Sequence, residues 1–182
     1  MAKQRDRVQM TEAEVAQLLG GQRKVQLATI SPDGYPHLVT MYYTLVDGKM
    51  AFWTYRTSQK ALNLARDPRI SCLVETGEAY FDLRGVQIQG TVETITDPDE
   101  VYRLGLAIGA VVAGGPARPV SGGIVPDGAA AADGTLSGGV AGDGAAPDGD
   151  AVNEYVANAA RKRYGYIVDP VRVISWDHTK LS

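Results

Sequence analysis

Through most of the N-terminal half of the chain, apolar and polar residues alternate with the period of a half-buried strand, and at a few points the spacing lengthens to that of a helix. Val25 to Ile30 predicts a first strand, and Ser31-Pro32-Asp33-Gly34 a turn before a second strand from about His37 to Leu45. Asp47-Gly48 is the strongest hairpin signal in the chain and suits a type I′ turn into a third strand, Lys49 to Tyr55. Further strands are predicted at Ile70 to Glu75, Tyr80 to Leu83 and Val86 to Thr94, with a turn at Thr76-Gly77-Glu78 and bulges or bends at Gly85 and Gly90. Tyr166 to Val168 and Val171 to Trp176, broken at Asp169-Pro170, predict a final strand pair or one kinked strand.

Helices are marked by their caps. Thr11 and Glu14 form a capping box, with Met10 and Val15 as a hydrophobic staple, and Val15, Leu18 and Leu19 share a face that ends at Gly20-Gly21. Ser58 caps a helix that must stop at Asp67-Pro68, about two turns on. Asp97-Pro98-Asp99-Glu100 opens a third, which turns Val101, Leu104, Ile108 and Val111 inward and ends around Gly114-Gly115-Pro116. A fourth is predicted over 151–163, with Val152, Tyr155, Val156 and Ala159 on one face, Arg161-Lys162-Arg163 in its last turn, and Gly165 as its stop. Many strands joined by short helices predict a mainly β, α+β fold, an antiparallel sheet curled into a barrel because closure removes exposed edges.

Composition adds bounds. At 182 residues the chain fits one domain, 1–182. Within it, residues 114–150 are dominated by Gly, Ala, Pro and Asp without an aromatic residue or a Lys, and predict a flexible insertion. A formal net charge of -3 argues against a general nucleic-acid binder. No apolar run reaches the length of a membrane span and the N-terminus lacks a signal-peptide core, so a cytoplasmic protein without membrane contact is expected. Cys72, the single cysteine, lies in an apolar run and reads as a buried thiol. Two histidines, His37 and His178, and no His-Glu-x-x-His or Gly-x-Ser-x-Gly pattern give no basis for a metal site or a hydrolase.

The chemistry concentrates between Phe52 and Ile70. A strand rich in aromatic residues runs into Arg56-Thr57-Ser58-Gln59-Lys60 at the start of the short helix. The free amides of that helix end carry partial positive charge, and the Arg56 guanidinium, the hydroxyls of Thr57 and Ser58 and the Lys60 amine stand within a turn of them. This is a donor set suited to a phosphate dianion.

With its flanking strands, this stretch resembles the flavin- and deazaflavin-binding split-barrel family that includes pyridoxamine 5'-phosphate oxidase. The resemblance rests on Leu27-Ala28-Thr29-Ile30 followed by Asp33-Gly34-Tyr35-Pro36, on Trp53-Thr54 before Ser58-Gln59-Lys60-Ala61, and on Asp67-Pro68-Arg69-Ile70-Ser71. Arg84-Gly85-Val86-Gln87-Ile88-Gln89-Gly90 and a closing Trp176-x-x-x-Lys180-Leu181 complete it. It implies an FMN-binding-like split barrel in which Ser58, Gln59 and Lys60 meet the cofactor phosphate with Arg56 and Thr57 as helpers. Trp53, Thr54, Val39, Thr40 and Met41 would line the ring and its side chain.

The resemblance also implies a homodimer with shared sites and a small-molecule substrate. Where pyridoxamine phosphate oxidases place an Arg on the second strand this chain has Val39, and their C-terminal Arg-x-His is absent, which speaks against vitamin B6 oxidation. Arg84-Gly85-Val86 and Ser175-Trp176-Asp177-His178 look closer to actinobacterial members that use coenzyme F420. The function implied is hydride transfer to a small conjugated substrate with F420. The alternatives are FMN in its place, or a non-catalytic flavin or haem carrier. No catalytic acid or base stands out.

Overall fold

A computed structural model describes residues 4–117, 119–120 and 149–181. The elements are α1 (Gln4–Val8), α2 (Glu12–Gly21), β1 (Lys24–Ile30), β2 (Pro36–Tyr42), β3 (Thr44–Val46), β4 (Lys49–Tyr55), α3 (Gln59–Arg66) and β5 (Arg69–Thr76). They continue with β6 (Arg84–Ile95), α4 (Pro98–Val112), β7 (Pro119–Val120), α5 (Gly149–Ala160) and β8 (Arg163–Asp177). The strands form one sheet in the order β2-β1-β5-β6-β8-β4-β3-β7. Every pairing is antiparallel except the short one of β7 with β3.

One residue shows why this sheet curls. β2 stands at one end of the order and β3 next to the other, yet Tyr43 alone separates them in the chain. The two ends of the sheet must therefore meet, which gives the antiparallel split barrel. Tyr43 is fully buried at the crossing, and its hydroxyl donates to the Leu19 carbonyl at 2.5 Å. The single second strand expected from His37 to Leu45 is thus two strands, divided by a crossing that alternation of apolar residues does not reveal.

The local signals for helices and turns are met. Thr11 and Glu14 complete the capping box of α2, and Asp97 caps α4 through the amides of Asp99 and Glu100. Asp47 and Gly48 have φ of 48° and 77°, the left-handed pair a type I′ turn requires. Val101, Leu104, Ile108 and Val111 of α4 are buried as expected.

Four expectations are corrected. Tyr80–Asp82 is a 3-10 turn with both aromatic rings exposed. The last helix ends at Ala160, so Arg163 opens β8, and of the predicted apolar face Val156 and Ala159 are buried while Tyr155 is exposed. Gly165 is a strand residue opposite Trp53, where a Cβ would stand 2.7 Å from Leu104 Cδ2. Gly85 sits in regular pairing opposite Trp176, and its missing side chain makes room for the indole, whose Cζ2 would lie 2.2 Å from a Cβ.

The expected bulge at Gly90 is present. Pairing steps from Gln89 opposite Arg172 to Gly90 opposite Pro170, so Val171 is the extra residue and β8 is one kinked strand. Most of the expected insertion at 114–150 lies outside the described residues. Of its described residues, Ala117 is buried, Pro119–Val120 pairs with β3, and Gly149 opens α5. No described helix is long and apolar enough to cross a membrane.

Two apolar clusters flank β4. Phe52 and Met50 join the barrel interior with Leu27, Leu64, Val86 and Tyr166, where the Phe52 and Tyr166 rings stack at 5.2 Å. Ala51 joins the second cluster under α4, with Val101, Leu104 and Ile108, and Trp53 packs at its edge. Both faces of β4 are covered, which fixes the strand that delivers the chain to α3.

Candidate functional site

β4 ends at Tyr55, and a tight turn closed by Ser58 N–H donating to the Tyr55 carbonyl at 3.0 Å leads into α3. Ser58 is the N-cap in extended conformation, and its Oγ accepts from Ala61 N–H at 3.4 Å. The buried Thr54 hydroxyl lies 3.1 Å from the same Oγ. Ala61 and Leu64 anchor the helix in the barrel interior, and Val39 and Met41 of β2 pack against that cluster.

Lys60 stands in the first turn. It is half-buried, and among the described residues its amine has no hydrogen bond and no ion pair. Burial holds its pKa below the ordinary lysine value. No acidic residue occupies the first turn of α3. A partly desolvated cation at the positive end of a helix, with no counter-charge among the described residues, is an arrangement that an anion stabilises from outside. The donor set fits a phosphate.

The residues singled out in the sequence are distributed unequally around this point. Thr54 and Ser58 meet through their hydroxyls at the cap, and Lys60 stands in the turn that follows. Gln59 turns along the helix, its Nε2 donating to Asn63 Oδ1 at 2.9 Å. Arg56 is engaged elsewhere: its Nη2 donates to the Arg161 carbonyl, its backbone N–H to the Lys162 carbonyl at 3.1 Å, and its guanidinium stands 5.5 Å from the Tyr164 ring. Thr57 is exposed, and Thr40 points outward on β2.

Trp53 and Thr54 are neighbours on a strand and therefore face opposite sides. Thr54 faces Ser58. Trp53 faces α4, where a Cβ on Gly105 would come within 2.5 Å of its ring. Arg163 covers Trp53 from outside, its guanidinium carbon 4.3 Å from the Trp53 ring and 4.2 Å from that of Tyr55. Among the described residues its buried Nη1 has no hydrogen-bond partner.

Sequence reasoning passed over Asn63 and Thr29. Both are fully buried, and Asn63 Nδ2 donates to Thr29 Oγ1 at 3.0 Å. The available signal was an amide inside the short helix between Ala61 and Leu64, a place where a side chain that belongs in solvent or at a cap needs a reason to be. Cys72 is buried as expected, and burial pushes its thiol up to about 12, which keeps it protonated.

Fold and site together give a split β-barrel with a helix end that carries Lys60 and no acid in its first turn. The family model for pyridoxamine 5'-phosphate oxidase matches residues 11–124, and the chain belongs to this family. Among solved structures, it is similar to the conserved hypothetical protein Rv2991 from Mycobacterium tuberculosis, with 34% identity over 99% of this chain and 92% of that one, and a TM-score of 0.74. An F420 reductase shares the fold at 20% identity, over 86% of this chain and 93% of that one, with a TM-score of 0.54. So does the heme storage protein HutZ from Vibrio cholerae, at 11% identity over 92% and 97%, with a TM-score of 0.57. No curated protein matches the chain.

Proposed function

We propose that this chain is an oxidoreductase that holds coenzyme F420 by its phosphate at the N-terminus of α3 and reduces a small conjugated organic molecule. The observation that carries the reading is Lys60, half-buried at a helix end with no acid in its first turn. Lys60 supplies the charge, the α3 amides supply directed donors, and Thr54 orients the Ser58 hydroxyl. Val39 and Met41 give the neighbouring barrel wall an apolar lining suited to a planar ring. When bound, a deazaflavin supplies a hydride-donating ring carbon. The protein's share is to bind, orient and shield it.

FMN is the second reading, because the same phosphate grip serves it and the matched family model is that of a flavin enzyme. The homodimer implied by the resemblance belongs to the proposal, and light scattering on the eluted protein tests it. Titration of the purified protein with F420 and with FMN, followed by fluorescence and equilibrium dialysis, separates the cofactors. Dissociation constants tighter than about 1 μM are expected for the cognate one. Micromolar or weaker binding of both overturns the cofactor reading. Tight binding without consumption of reduced cofactor across enones and nitroaromatics moves the protein to the carrier class.

A further inference from the structure

The short helix that presents Lys60 is fastened to the sheet by a line of polar groups that leads from its exposed first turn into the apolar interior. Gln59 Nε2 donates to Asn63 Oδ1 at 2.9 Å, and Asn63 Nδ2 donates to Thr29 Oγ1 of β1 at 3.0 Å. Asn63 and Thr29 are fully buried, beside Ala61 and Leu64, which make the helix's apolar contacts. Burying an amide is costly unless its donors and acceptors are matched, and here both ends of the Asn63 amide are used. A leucine would contribute more to the core. Apolar contact, however, is non-directional and sets only how closely the helix lies on the sheet. A hydrogen bond adds direction, and this one fixes where along β1 the helix sits.

We propose that Asn63, acting with Thr29, is a positioning residue for the anion site: it sets the register of α3 on β1 and thereby the place of Lys60. The inference rests on the reading of that helix end as a cofactor phosphate site. It assigns Asn63 no contact with the cofactor. One turn along the same helix, Asn63 also aligns the Gln59 side chain, so both polar residues at the helix start depend on it.

The experiment uses the full chain with Asn63→Leu, which removes both bonds and keeps the branched side-chain shape, Thr29→Val, which removes the hydroxyl, and Thr29→Ser, which keeps it. Each is made alone and in a Lys60→Ala background. Affinity for F420 and for FMN is measured well below the unfolding temperature, beside thermal stability. Asn63→Leu and Thr29→Val are expected to weaken binding of the cognate cofactor about three- to tenfold, Thr29→Ser to retain it, and the loss to shrink below about twofold once Lys60 is gone. A fall in stability with unchanged affinity overturns the proposal, and so does an equal loss with and without Lys60.

If the parent protein binds neither cofactor, the cofactor reading fails, while the positioning claim is still read without ligand. NMR titration of the Lys60 side chain should then show its pKa moving toward the ordinary lysine value in Asn63→Leu. An unmoved titration overturns the claim.

Discussion

Two helices in this molecule start in the same way and end up electrically opposite. Thr11 caps α2 by accepting from Glu14 N–H at 3.3 Å, and Ser58 caps α3 by accepting from Ala61 N–H at 3.4 Å. Around α2 the chain supplies its own neutralisation: Glu12 and Glu14 stand in the first turn, and Glu14 accepts from the Thr11 N–H and from Lys180 Nζ, each at 2.7 Å. The bond from Lys180, followed by that from Thr11, lowers the Glu14 carboxyl to about 2. α4 follows the same plan with Asp97, Asp99 and Glu100. α3 has no acid there and carries Lys60 instead, which opposes its own dipole at a cost of a few tenths to about 1 kcal/mol. A helix end built for stability is closed by its own chain, whereas one left positive is open to a ligand.

The strongest way to break this contrast is to give α3 the charge pattern of α2. Lys60→Glu is expected to reduce cofactor affinity by more than about 100-fold while leaving thermal stability equal to or slightly above the parent's, since the new acid suits the dipole. A variant that still binds either cofactor tightly removes the phosphate site from this helix. Lys60→Ala asks for less: binding weaker by about one to two orders of magnitude in equilibrium dialysis, with folding hardly changed.

The caps sharpen the comparison further. Ser58→Ala and Thr11→Ala should each lower stability by about 1 kcal/mol in urea unfolding, because each removes a hydroxyl from a helix amide. Only Ser58→Ala should also lower cofactor affinity. Equal effects of the two on binding would make the α3 cap structural alone.

The smallest expected effect concerns acid. The Glu14 carboxyl titrates at about 2 in the folded protein against 4.5 ordinarily, so between these values the unfolded chain binds more protons. Its contribution is complete above pH 4.5 and is lost as pH falls toward 2. Asp67, lowered to about 2 by Arg69, titrates in the same window. The test is therefore a difference: the fall in unfolding midpoint on acidification should be shallower in Glu14→Gln than in the parent.

What the sequence disclosed was whatever is decided within a few residues. The capping box at Thr11, the Asp47-Gly48 turn, the Ser58 cap and the Asp67 stop depend on neighbours in the chain, and each stands where the residues place it. Gly165 and Gly85 misled because their glycines answer to Leu104 and Trp176, which are remote in sequence. The division of the second strand at Tyr43 follows from closure of the whole sheet. At the site, Ser58 and Lys60 were legible from the helix start, and the separation of Trp53 from Thr54 was implicit in strand alternation. Arg56 looked like a phosphate ligand by proximity alone. Its partners, the carbonyls of Arg161 and Lys162, lie more than a hundred residues away.

The place of β8 in the sheet bears on how the protein is made. It is the last strand of the chain, yet it lies between β6 and β4. Until residues 163–177 leave the ribosome, β2-β1-β5-β6 and β4-β3 are separate ribbons, each with an open edge where β8 belongs. Vectorial synthesis can build both ribbons but cannot pair them with one another before β8 emerges, so the barrel closes only then. Nascent chains arrested before Arg163 therefore expose two sticky edges at once, and the demand on chaperones lasts until β8 fills both.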